Sequence, residues 1–182
     1  MANAFDRLGI EPCLVLSEEA LREAFRAAGK QTHPDAGGAE GEFSALNEAF
    51  AILGSPSRRL QQWLETRGLS AQTRGAIDNE LMDLFAEVGA ITQRAESLIR
   101  KRDEIKFVLV RAMLEGDTQL CREQLETAIA KVDDWIDREC GIFPELEKSA
   151  NPDLETASKI ARNLVFLEKW RAGLRSCFAR LI

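Results

Sequence analysis

The sequence predicts an all-α protein, an N-terminal helical hairpin followed by a three-helix bundle. Three observations lead there. Apolar residues recur three and four apart along most of the chain, and no stretch shows the strict alternation of a half-buried strand. The five prolines, Pro12, Pro34, Pro56, Pro144 and Pro152, fall between or near the ends of helical stretches. Tyrosine is absent and β-branched residues do not cluster. At 182 residues, 45% hydrophobic, the chain can form one large domain or two small ones with a real core.

A short first helix is expected from Ala4 to about Gly9. Ser17 before Glu18 and Glu19 reads as an N-cap with acidic groups at the positive end of the helix dipole. The helix it opens carries Leu21, Phe25 and Ala28 on one face and Arg22, Arg26 and Lys30 on another. It ends near Thr32, because Pro34 disfavours helical geometry at His33. Ala36 to Gly41, with three glycines, reads as a turn or loop. A third helix, about Glu42 to Leu53, is expected to bury Phe43, Leu46, Phe50 and Leu53. Gly54-Ser55-Pro56 closes it and starts a short helix with Leu60, Trp63 and Leu64.

The apolar stripe then lapses, so residues 1–67 are read as one domain, 68–76 as a linker and 77–182 as the bundle. The first bundle helix begins near Ile77, with Leu81, Phe85, Val88, Ile91, Ala95 and Leu98 on its apolar face, and continues toward Ile105, Leu109 and Met113. Gly116-Asp117 starts the next, with Cys121, Leu125, Ile129, Val132 and Ile136. After Asn151-Pro152-Asp153 a last helix repeats Leu154, Ile160, Leu164, Leu167, Leu174, Phe178 and Leu181. It also carries a displaced second stripe, Phe166, Trp170, Gly173 and Cys177, as a helix does when it is deeply buried or lends one face to a partner.

Charge narrows the function classes. The net charge of -6 is spread evenly over the two parts, and Arg100-Lys101-Arg102 is followed at once by Asp103 and Glu104. No one-sided basic excess exists for nucleic acid. No apolar run is long enough to span a bilayer, and the first residues lack the basic start and apolar stretch of a secretory signal, so a cytoplasmic protein is expected. Cys13, Cys121, Cys140 and Cys177 lie too far apart for a zinc or redox spacing and are expected as reduced, mostly buried thiols. No glycine-rich phosphate loop or nucleophile–base arrangement is visible, so neither catalysis nor a cofactor is expected.

His33-Pro34-Asp35 carries the functional signal. It follows a helix with a basic stripe and precedes a second amphipathic helix, so it is expected at the tip of a hairpin. A histidine, a stiff proline and a carboxylate at such a tip are poorly explained by core packing. Here the chain resembles the J-domain family. The matching pieces are Phe5-Asp6-Arg7-Leu8-Gly9-Ile10, His33-Pro34-Asp35, Leu46-Asn47-Glu48-Ala49-Phe50-Ala51-Ile52-Leu53 and Pro56-Ser57-Arg58-Arg59. The resemblance implies that His33, Pro34 and Asp35 contact the ATPase domain and interdomain linker of a DnaK-type chaperone and trigger hydrolysis. It implies that Arg22, Arg26 and Lys30 dock on an acidic surface of that chaperone. Thr32 stands where the family usually has an aromatic, and Ala36 where a lysine is frequent.

A J-domain before a helical bundle resembles the HscB family of iron–sulphur cluster assembly co-chaperones. Arg67-Gly68 after Trp63-Leu64, Asn79-Glu80-Leu81-Met82-Asp83-Leu84-Phe85, and Ala161-Arg162-Asn163-Leu164-Val165-Phe166-Leu167-Glu168-Lys169-Trp170 carry that likeness. It implies an HscA-type chaperone partner and a scaffold client of the IscU type, held on an exposed apolar patch of Leu81, Met82, Phe85 and Phe166. Ala86 and Gly89 stand where that family tends to carry acidic groups, and the loop after Asp35 is shorter. A different client, or a purely structural bundle, stays open.

Overall fold

The computed structural model describes residues 2–32, 40–75, 79–105 and 113–182. Among these the fold is all-α, as the periodicity predicts. The helices are α1 (Ala4–Leu8), α2 (Glu18–Thr32), α3 (Glu40–Gly54), α4 (Pro56–Glu65), α5 (Met82–Glu104) after a 3-10 turn at Asn79–Leu81, α6 (Glu115–Cys140), α7 (Phe143–Lys148) and α8 (Leu154–Leu181). They group into two compact units, Met1–Gly75 with Glu139–Leu164, and Ala76–Arg138 with Val165–Ile182. Glu139–Leu164, expected within the bundle, therefore groups with the first 75 residues.

In the first unit, local chemistry sets each helix end. Asn3 and Asp6 form a reciprocal capping box on α1, and Gly9 closes it at φ 62°, a left-handed conformation that glycine adopts without penalty. Ser17 accepts a hydrogen bond from the Ala20 amide at 3.1 Å at the start of α2. Ser55 caps α4 and Pro56 fills its first turn, where no amide donor is needed.

Helices α2 and α3 run antiparallel. A methyl placed on Gly54 would touch Leu21 at 3.7 Å, and one on Gly29 would touch Leu46 at 3.9 Å, so the end of each helix meets the start of the other. Phe25 and Phe50 join them, their ring centroids 4.8 Å apart. Leu46, Ala49 and Leu53 face the core. Phe43, expected to be buried, is instead 46% exposed, one turn toward the start of α3 from buried Leu46.

Residues 139–164 complete this unit. The Glu147 carboxylate accepts from the Leu14 amide and, at 3.2 Å, from the Val15 amide. Phe143 is 2% exposed and lies under the Arg59 guanidinium, 5.9 Å from the ring centre. Arg59 itself donates to the Leu53 carbonyl at 2.7 Å, the arrangement a buried guanidinium needs.

The second unit is a three-helix arrangement. Arg94 bonds Gln124 at 3.1 Å and Lys131 bonds Glu87 at 2.6 Å, which sets α5 and α6 antiparallel. Asp133 of α6 receives Arg171 at 3.2 Å and Arg175 at 3.4 Å from α8. Arg102 of α5 donates to the Leu181 carbonyl at 2.9 Å. The core holds Leu84, Val88, Ala95, Leu98, Cys121, Leu125, Val132, Ile136, Leu167, Leu174 and Leu181. The first bundle helix, expected to continue through Ile105, instead ends at Glu104, where Ile105 turns to an extended conformation; Leu109 lies outside the described residues.

Candidate functional sites: a basic helix face and an aromatic face

The first site belongs to the α2–α3 hairpin. On α2, Arg22, Arg26 and Lys30 are all exposed, one turn apart on a single line, opposite buried Leu21. Arg22 pairs with Glu18 one turn back; both side chains are well exposed, so that pair stabilises little. The line of cations runs toward Thr32 and the segment 33–39 that joins the two helices. His33, Pro34 and Asp35, expected at the hairpin tip, lie outside the described residues. The hairpin whose ends they join is present, with its basic face outward.

The second site belongs to α5 and α8 within the second unit. Met82 is 49% exposed and Phe85 50% exposed. Trp170 of α8 meets Phe85 with centroids 5.6 Å apart and Phe166 at 6.1 Å, so its ring bridges the two phenylalanines. Phe166 and Trp170 are themselves half-buried. Large apolar side chains held half in water on two neighbouring helices form an apolar face of the kind a partner protein can cover.

Leu81 is a correction. Expected on this face, it is fully buried instead. Leu81 closes a 3-10 turn and α5 follows from Met82; residues four apart differ by about 40° in phase, so Leu81 and Phe85 need not share the same environment. At about 100° per residue Leu81, three before Leu84 and seven before Val88, falls on the face that those two buried residues define. Phe85, expected from the periodicity to be buried, lies about 100° round the helix from Leu84, at the edge of the buried face, and is half exposed. Cys177, on the displaced stripe of α8, is 6% exposed and belongs to the core. Trp170 was visible on that stripe, four residues after Phe166, but its contact with Phe85 has no signal in the sequence.

The remaining chemistry is quiet. No disulfide joins the four cysteines. Burial pushes the Cys121 and Cys177 thiols up, and Cys13 is pushed up by burial and then by Glu147, with Arg59 opposing. A thiol so shifted is a poor nucleophile near neutral pH. Among the described residues no group of His, Cys, Asp or Glu is placed to hold a metal ion, and no helix is long and apolar enough to cross a membrane.

A stretch of 42 residues, 23% of the chain, is 48% identical to the tetratricopeptide repeat and J domain-containing co-chaperone DNJ1 of Cryptococcus neoformans var. grubii. The match spans 8% of that relative's length. No family model matches the chain. The likeness supports kinship with the J-domain proteins and does not extend to any narrower group.

Proposed function

We propose that the chain is a J-domain co-chaperone without catalytic activity of its own, which stimulates a DnaK- or HscA-type ATPase and presents a client to it. The observation that carries this reading is the hairpin: an exposed basic line of Arg22, Arg26 and Lys30 leading to a His33-Pro34-Asp35 connection between antiparallel helices. The similarity to a J domain-containing co-chaperone supports it. In this reading Arg22, Arg26 and Lys30 steer the hairpin onto an acidic surface by long-range attraction. His33 and Asp35 then offer hydrogen-bonding groups from a tip that Pro34 stiffens. Residues 1–67 act as the J-domain, 68–76 as the linker, and within 77–182 the second unit, 77–138 with 165–182, as the client-binding part, in the cytoplasm and with no cofactor.

The client surface is Met82, Phe85 and Phe166, to which Trp170 is added and from which Leu81 is removed. The client is an iron–sulphur scaffold of the IscU type. The neutral Ala86 and Gly89 beside this face favour, as a second reading, a client that needs no basic residues there.

The test is single-turnover ATP hydrolysis by the partner chaperone, with and without the protein. His33→Gln abolishes stimulation while moving stability by no more than about 0.5 kcal/mol, the range of exposed substitutions. Full stimulation by the variant refutes the J-domain assignment. Met82→Ala with Phe166→Ala lowers affinity for an IscU-type scaffold at least about tenfold, as loss of interface hot spots does. Unchanged scaffold binding in that variant removes the client assignment and leaves the J-domain standing.

A further inference from the structure

Residues 68–76 have the composition of a loose tether, yet their last part is held. The Gln72 amide donates to the Ser158 hydroxyl at 3.0 Å. The Arg162 guanidinium, one turn further along α8, donates through one nitrogen to the carbonyls of Gln72 and Arg74, each at 3.4 Å. Gly75 then passes the same guanidinium at φ 140°, so close that a Cβ there would stand 3.3 Å from the Arg162 Nη1 atom. The Arg162 Nε atom is buried without a hydrogen-bond partner. The Nη1 atom meanwhile grips backbone that has no helix or sheet of its own.

We infer that Ser158 and Arg162 form a clamp on the linker, a conformational device that fastens residues 72–75 to α8 and fixes the point from which the chain leaves the first unit. Three features converge on it. The clamp takes both polar groups of Gln72, amide and carbonyl, so it holds that residue from two sides. Gly75, at φ 140° and without a side chain, lets the segment pass close against the guanidinium, where a Cβ would be tight. Neighbouring Leu69 and Gly68 are instead bonded back to α4, to Leu64 and Glu65, so the grip of α8 begins after the J-region's own cap has ended. The inference concerns the first unit alone and stands whether or not the proposed client is the right one.

Trypsin reads this directly in the full chain, because Arg74-Gly75 lies in the clamp and Arg67-Gly68 lies outside it. In the folded protein cleavage after Arg74 is slow. Arg162→Ala raises it on the order of tenfold relative to cleavage after Arg67, since proteolysis tracks how often the segment opens. Ser158→Ala, which removes a single hydroxyl, raises the same ratio by a smaller factor and raises hydrogen exchange at the Gln72 amide. A general loss of folding in Arg162→Ala raises both cuts together; Ser158→Ala then decides. A ratio unchanged in both variants, or wild-type cleavage after Arg74 as fast as in the denatured chain, overturns the clamp.

Discussion

Truncating Leu81 to alanine separates two roles that neighbouring residues on the same helix could exchange. Leu81 is fully buried, whereas Met82 next to it is 49% exposed. Removing three methyl(ene) carbons from a closed site forfeits their transfer free energy and leaves a cavity, which together cost about 2–5 kcal/mol. Leu81 sits in a short 3-10 turn, and its neighbours Leu84 and Val88 belong to a long helix that cannot easily collapse inward, so a value near 3 kcal/mol is expected. In a chain of this size that lowers the melting temperature by roughly 6–12 °C. Met82→Ala, with half of its side chain already in water, should cost less than about 1 kcal/mol. Urea denaturation followed by circular dichroism, run on both variants beside the wild type, measures the difference. A Leu81→Ala cost below about 1 kcal/mol, or one equal to that of Met82→Ala, refutes the assignment of Leu81 to the core.

Reversing charge at Arg26 should weaken binding of the DnaK-type partner, and wild-type binding should weaken with salt, because exposed charges are screened over about 8 Å at physiological ionic strength; isothermal titration at two salt concentrations checks both. Asp153 caps α8, accepting from the Thr156 hydroxyl at 2.6 Å and from the Glu155 amide at 3.1 Å. These bonds, led by the Thr156 hydroxyl, hold its carboxyl below the ordinary value of 3.8. Its contribution is therefore present above that value and lost as the pH falls through the lowered one. Asp153→Asn keeps a capping oxygen but not the charge, so its acid denaturation curve should lose that component, visible in helical ellipticity below about pH 4.

Much of the helical framework was legible because helices are local. Ser17, Ser55, Asn3 and Asp153 sit within three residues of the amides they cap, and the apolar spacing that marks α2, α6 and α8 repeats every turn. The basic line on α2 was legible for the same reason: Arg22, Arg26 and Lys30 must share a face whatever surrounds them. Tertiary structure decided what has no local cause. Leu81 and Phe85 differ by only about 40° in helical phase, so which of them is covered depends on where the neighbouring helices of the second unit pack against α5. Trp170 meets Phe85 across 85 residues of chain, Glu147 reaches the Leu14 amide across 133, and Arg162 reaches Gln72 across 90. No periodicity encodes such pairs. They exist only once burial has brought α5 beside α8, and α7 with the start of α8 against the first 75 residues.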